Sequence, residues 1–332
     1  MNRSCDSSQC ASVAAKRRRT VVCAARITLL HAVIVSMLTV APAAAQNRPE
    51  IMAPPPDVTG YMRMGGIFHE NFFQVPDGGP RRDVLAGVLE FRAEEKLGED
   101  DTYRAYFRTD FYQFHQLGSS PGLLVGGGRI RGAHQFDISV AGQWRRPRFE
   151  YGDELEQANI LGSSASYSLR ILSTLDLIAI GEYSYDALKI NTKLHGTSYD
   201  AGAAVRYGAF RRRLSAEVGV LQGARDLGDV QQYVNDTRYL QLRASAIPRT
   251  YLSVRYRTRI RDYSTSDSRS SNFGREDRRR QVTAYLDVKL WGNLMWNLSG
   301  GLEEAESTRV GGGFRSRQFG TTLSAMLPTP VW

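Results

Sequence analysis

The chain has only three cysteines among its 332 residues, and all of them, Cys5, Cys10 and Cys23, precede residue 46. The remainder has no thiol, which excludes a disulfide framework, thiolate metal centres and cysteine nucleophiles. Long apolar runs are also missing after residue 45, so a helical membrane protein is excluded. Basic excess is modest once the N-terminus is set aside. The formal net charge is +9, but residues 1–45 carry Arg3, Lys16, Arg17, Arg18, Arg19 and Arg26 against Asp6, and the rest is left at +4. Its basic residues alternate with apolar ones and form no helical patch, which argues against a nucleic-acid partner.

Residues 1–45 follow a signal-peptide pattern. A basic cluster at Lys16–Arg19 precedes a mostly apolar stretch from Ile27 to Val40, and Ala43 and Ala45 supply the small residues that a signal peptidase requires. Cleavage is expected to leave Gln46 as the new N-terminus. Cys23 precedes the apolar stretch, which argues against a lipidated terminus. Residues 46–58, with Pro54-Pro55-Pro56, read as a Pro-rich periplasmic segment, and residues 59–332 as a single further unit.

That unit alternates with period 2. Leu85, Leu89, Phe91 and Ala93 share one parity and Glu90, Arg92 and Glu94 the other. Val282, Ala284, Leu286 and Val288 oppose Thr283, Asp287 and Lys289 in the same way. Alternation alone fits any sheet with one wet face. Length separates the cases: these segments run about 11–15 residues, whereas soluble strands average ~5–6 and membrane strands need ~9–11 to cross when tilted. Aromatics such as Tyr61, Phe111, Trp144, Tyr183, Tyr207 and Trp291 gather near segment ends, as interfacial girdles require. Short connections, such as Arg131–Ala133 and Trp291–Asn293, alternate with longer polar ones, among them 75–82, 116–121, 147–158 and 264–277.

The fold class that follows is all-β: a transmembrane antiparallel up-and-down β-barrel of about fourteen strands, from near Gly60 to near Leu327, in a bacterial outer membrane. The count depends on accepting Gly122–Ile130 as a weak, Gly-rich strand. If that segment is a loop, twelve or sixteen strands result.

Arginine on the lipid face at mid-membrane would cost roughly 2–4 kcal/mol, so arginines on the polar parity are expected to line the lumen. They are Arg104, Arg108, Arg145, Arg170, Arg206 and Arg243, together with Arg255, Arg257, Arg259 and Arg261 on one face of a single strand. Charged rings of this kind select anions in pores. Acids such as Glu90, Asp110, Asp137, Asp176, Glu182, Asp200, Glu217 and Asp287 share the inward parity, and a salt-bridge lattice that stiffens the wall is the competing reading. A catalytic site is not expected. His69, His115, His134 and His195 have no serine two residues away, and no histidine pair has metal-ligand spacing, so neither metal nor cofactor is implied.

The unit from Gln281 to Leu302, with its Trp291-Gly292-Asn293 turn, and the dyad repeats over residues 58–332 resemble the outer-membrane β-barrel, porin-like protein families of Gram-negative bacteria, including barrels associated with exopolysaccharide gene clusters. The resemblance implies contact with outer-membrane lipid and lipopolysaccharide, assembly by the barrel assembly machinery and, for the exopolysaccharide barrels, envelope export components. Together with the arginine-lined lumen read from strand parity, it leads to the expectation of a porin-like channel for small, preferentially anionic solutes. The alternatives are an outer-membrane component of exopolysaccharide export and a structural or adhesive barrel without transport. One departure concerns the last strand, where Phe319 to Leu327 keep the dyad but Pro328 and Pro330 interrupt it before Trp332.

Overall fold

The computed structural model describes residues 60–327, apart from 76–78, 80, 98–100, 152–153, 191, 193–194, 211, 227–232, 246–248, 264–269, 271 and 310–311. The presequence with its cysteines, the Pro-rich segment and the Pro328–Trp332 stretch lie outside the described residues. Fourteen strands follow in order: β1 (Gly60–Glu70), β2 (Val84–Leu97), β3 (Tyr103–Phe114), β4 (Gly118–Arg129), β5 (His134–Tyr151), β6 (Glu154–Leu172), β7 (Leu175–Leu188), β8 (Gly196–Ala209), β9 (Leu214–Asp226), β10 (Tyr233–Ala244), β11 (Thr250–Tyr263), β12 (Glu276–Lys289), β13 (Leu294–Ser307) and β14 (Phe314–Leu327). Each pairs antiparallel with its neighbours in sequence, and β1 pairs with β14 from Gly60↔Leu327 to Glu70↔Arg317, which closes the barrel and leaves no sheet edge.

Burial is inverted relative to a protein folded in water. In β2 the exposed positions include Leu85 and Leu89, at 56% and 47%, while Glu90 between β1 and β3 is 2% exposed. The same holds around the wall: Val125, Leu161, Val218 and Leu323 face outward, and Asp110, Asp176, Glu217 and Asp287 are buried inside. A belt of exposed aliphatics around buried carboxylates is unfavourable in water and is what a hydrocarbon surround requires, and closure of the ladder pairs the strand backbones without a free edge. Tyr103, Tyr207, Phe210 and Trp291 are exposed at the end that carries Gly60 and Leu327, and Phe68, Phe111, Trp144 and Tyr183 toward the other, as two aromatic girdles.

The Gly-rich segment is a strand. In β4 the inward-facing Gly126 and Gly128 sit where a Cβ would collide with Tyr106 and with the carbonyl oxygen of Phe136. Glycine thus lets groups of β3 and β5 pack closely against β4 on its inner face.

Two expected long connections are replaced by tighter geometry. The β3–β4 connection is confined to residues 115–117, turned by left-handed Gln116 and Gly118, and Pro121 lies within β4. The β5–β6 hairpin stays paired through Tyr151↔Glu154, so most of the expected loop 147–158 is strand. These stretches are polar because they stand beyond the apolar belt, where pairing continues without a hydrophobic face to announce it. The remaining connections at that end, such as 71–83 and 264–275, are long, and those at the end bearing Gly60 and Leu327 are short. Short turns mark the periplasmic end of such barrels.

Inside, two apolar clusters interrupt the charged wall. Ile178, Ile180, Ala204, Leu221 and Tyr239 pack together at mid-height. At the outer end Phe72 and Phe73, from the β1–β2 connection, fold inward against Val84, Ala86, Phe114 and Leu117.

Candidate functional site

The lumen holds a cavity of about 530 Å³ in its periplasmic half, bordered by Arg63, Arg104, Arg108, Arg206, Arg243 and Arg255 and by Glu90, Asp137, Glu182, Glu217 and Asp287. Strand alternation explains this lining: each of these residues has the parity opposite to a lipid-facing aliphatic neighbour on its own strand.

Most of these arginines are held by carboxylates. Arg104 Nη2 donates to Asp137 Oδ2 at 2.8 Å and stacks on the Tyr106 ring, while Arg108 lies 3.3 Å from Asp110. Arg206 Nε donates to Glu217 Oε2 at 2.8 Å, the Tyr239 hydroxyl donates to Oε1 at 2.8 Å, and Arg243 stands 3.8 Å from the same carboxylate. On the opposite side Arg63 and the Tyr61 hydroxyl both donate to Glu90.

Of the ten arginines expected in the lumen five do not border the cavity: Arg257, Arg259 and Arg261 continue β11 beyond it, and Arg145 and Arg170 lie elsewhere. Arg170 pairs with Asp176 at 3.4 Å beside the β6–β7 turn, sharing that carboxylate with Arg212 at the periplasmic rim. Arg145 is exposed and has φ 53° at a β-bulge, where the β5–β6 register jumps between Gln143 and Arg146. The extra residue resets the parity, so Arg146 and Arg148 carry the inward alternation in place of Arg145.

The β11 arginines behave differently. Arg255 borders the cavity with its guanidinium 4.1 Å from the centroid of the Tyr239 ring. Arg257, Arg259 and Arg261 continue above it toward the outer end. Arg259 Nε donates to Thr237 Oγ1 at 3.2 Å, and Arg261 covers the Tyr233 ring at 4.8 Å. Among the described residues none of the four has a carboxylate within 4.0 Å, and the Nε atoms of Arg255, Arg257 and Arg261 are buried without a hydrogen-bond partner. Glu182 and Asp200, on β7 and β8, supply the opposing charge acting on Arg257 from a distance.

Sequence parity missed other inward cations. Arg279 on β12 faces Arg259 in register, donating to Gln74 Oε1 at 3.1 Å and to Glu303 Oε1 at 3.3 Å. The Arg278-Arg279-Arg280 run obscures its dyad, although the outward Val282 fixes it. Arg148 and Arg225 both donate to Asp186, and the bulge hid the first of them. The histidines are scattered. His134 Nδ1 meets the Tyr167 hydroxyl, His195 Nε2 the Leu188 carbonyl, and His69 lies edge-on to Phe72. Among the described residues no group of three His, Cys, Asp or Glu side chains is placed to hold a metal.

A closed antiparallel barrel with an aliphatic outer belt, two aromatic girdles and a charged interior is an outer-membrane β-barrel. The sequence matches no protein-family model, and no curated protein matches it. Solved structures similar to it include OmpT of Vibrio cholerae in a form lacking loop L8, at 10% identity over 81% of this chain and 99% of that one with a TM-score of 0.43. Others are an anion-selective porin from Comamonas acidovorans (10% identity, 81% and 99% covered, TM-score 0.42) and a bacterial polysaccharide outer membrane secretin (12%, 82% and 100%, TM-score 0.45). Likeness of this degree carries no functional inference for this chain.

Proposed function

We propose that the protein is a porin-like channel for small, preferentially anionic solutes and carries out no chemistry on them. The observation that supports this is the β11 ladder, whose four guanidiniums point into the lumen and have no carboxylate within 4.0 Å among the described residues. A guanidinium already paired contributes little net field. An unpaired one raises the local concentration of counter-ions, and a row along the axis hands an anion from one charge to the next.

Spacing suits that transfer. Alternate residues of a strand lie about 6.6–6.8 Å apart, which is within a Debye length of roughly 8 Å at physiological ionic strength. An anion between two rungs is attracted by both. Stacking of Arg255 on Tyr239 and of Arg261 on Tyr233 holds two guanidiniums against the wall without neutralising them.

Reversal potentials in a salt gradient across planar bilayers test the proposal. The purified protein is expected to give discrete anion-selective steps, and replacing Arg255, Arg257 and Arg259 together by serine is expected to abolish the preference while leaving the steps. Unchanged selectivity in that triple variant overturns the reading.

A further inference from the structure

Arg259 and Arg279 are direct cross-strand partners on the inward face of β11 and β12. Like charges placed directly opposite destabilise a sheet, and here Arg257 and Arg261 flank the pair on the same face. Arg261 and Arg259 act electrostatically on Arg279, as Arg257 and Arg261 do on Arg259. The only carboxylate within ion-pair distance of this group among the described residues is Glu303, 3.3 Å from Arg279. The Nε atoms of Arg257, Arg261 and Arg279 are buried without hydrogen-bond partners.

We infer that Arg257, Arg259, Arg261 and Arg279 form a binding seat for a phosphate-class oxyanion, free phosphate or a phosphate monoester, in the outer half of the lumen. This rests on the channel reading above and names the solute class of its outer charged region. Two guanidiniums opposed across a strand pair stand about 5 Å apart at their Cβ atoms, close enough for both forks to meet one tetrahedral anion. A doubly charged oxyanion with several acceptor oxygens satisfies more of these donors than chloride does, and arginine forks match phosphate geometry. The Thr237 hydroxyl, at Arg259 Nε, lies beside the same group.

Glu303 occupies the role of the anion in its absence. Its carboxylate accepts from Arg279 at Oε1 and from Gln74 Nε2 at 3.3 Å, and Gln74 Oε1 accepts from Arg279 in turn. Gln74 belongs to the β1–β2 connection that Phe72 and Phe73 anchor inside the barrel. The connection thereby reaches the seat, and an incoming oxyanion competes with Glu303 for Arg279.

The test is calorimetric titration of the detergent-purified protein at low salt with inorganic phosphate and, separately, glycerol 3-phosphate, alongside bilayer recordings in chloride with phosphate added. Phosphate is expected to bind and to block chloride current. Losing one charge-assisted contact weakens binding by about 10-fold, so Arg259→Gln with Arg279→Gln is expected to weaken it about 100-fold. Glu303→Gln, which removes the internal competitor, is expected to tighten it several-fold, and it tests the seat even where the double variant does not fold. The tighter of the two ligands identifies the source. Absence of phosphate binding, or binding that Glu303→Gln leaves unchanged or weaker, overturns the seat. Anion-selective current without phosphate binding would remove the seat and leave the channel reading standing, whereas binding that responds to both variants in a barrel that passes no current would do the reverse.

Discussion

The acid-paired wall of the periplasmic half and strand β11 use arginine in opposite ways. In the periplasmic half Arg63, Arg104, Arg108 and Arg206 each lie within 3.3 Å of a carboxylate, and hydroxyls of Tyr61 and Tyr239 complete the same networks. On β11 the guanidiniums stack on tyrosines or stand beside one another, with carboxylates only at longer range. A lattice that stiffens a wall and a path that attracts anions are therefore not alternatives for this molecule. They occupy different places, and the difference is set by whether an acid lies within reach on the same strand or on a strand one or two places away. Glu217 on β9 serves Arg206 and Arg243 from both flanking strands, while Arg257 has Tyr239 and Gln281 as its cross-strand partners.

The largest effect that would break this contrast is expected at Glu217. Its carboxylate is 6% exposed and neutralises Arg206 and Arg243 while accepting from Tyr239. Removing one member of a buried ion-pair network strands the others, at a cost of about 3–5 kcal/mol. Glu217→Ala should therefore lower the unfolding free energy, measured by urea titration in detergent or lipid, by that order. A loss under about 1 kcal/mol would mean that water in the cavity replaces the carboxylate, and the periplasmic half would then be an open path as well.

Architecture was legible because the lipid surround imposes it residue by residue: an aliphatic side chain at every second position is visible in sequence, as at Leu85, Leu89 and Phe91. Strand number and both barrel ends followed from that dyad, including the Gly-rich β4. The hairpin above the belt was not legible, since β5 beyond Trp144 and the first residues of β6 pair without needing an apolar face. The ladder was visible because all four arginines lie on one strand. Its partner Arg279 was not, because cross-strand register between β11 and β12 depends on the length of the connection 264–275 rather than on local pattern. Pairing of individual arginines with acids was hidden for the same reason: parity tells which side a charge faces, and register tells what it meets.

A smaller effect, of opposite sign, sharpens the comparison from the ladder. Arg257 has like charges at Arg255 and Arg259 along its own strand and no hydrogen bond given to another group among the described residues. Where Glu217 holds its region together, Arg257 adds repulsion. Arg257→Ser is expected to leave stability unchanged or to raise it by less than about 1 kcal/mol, the scale of a single side-chain pair on a sheet face, in the same urea titration. Destabilisation by 2 kcal/mol or more would show that Glu182 and Asp200 hold Arg257 as firmly as Glu217 holds Arg206, and the lumen would be one lattice throughout.

The smallest effect is expected at Arg145, which sequence parity groups with the lumen arginines and the bulge removes from them. Its backbone N–H donates to Asn159 Oδ1 at 3.0 Å, and its side chain is exposed and makes no hydrogen bond or ion pair among the described residues. Surface substitutions away from special features change stability by about 0.5 kcal/mol or less, although the left-handed backbone at this position favours small polar residues. Arg145→Asn, which tolerates that φ, should alter neither stability beyond this range nor the reversal potential. A shift in selectivity comparable with that of a β11 variant would place the Arg145 charge in the ion path, and the bulge would then be a device that swings this side chain over the outer mouth instead of one that hands the inward role to Arg146 and Arg148.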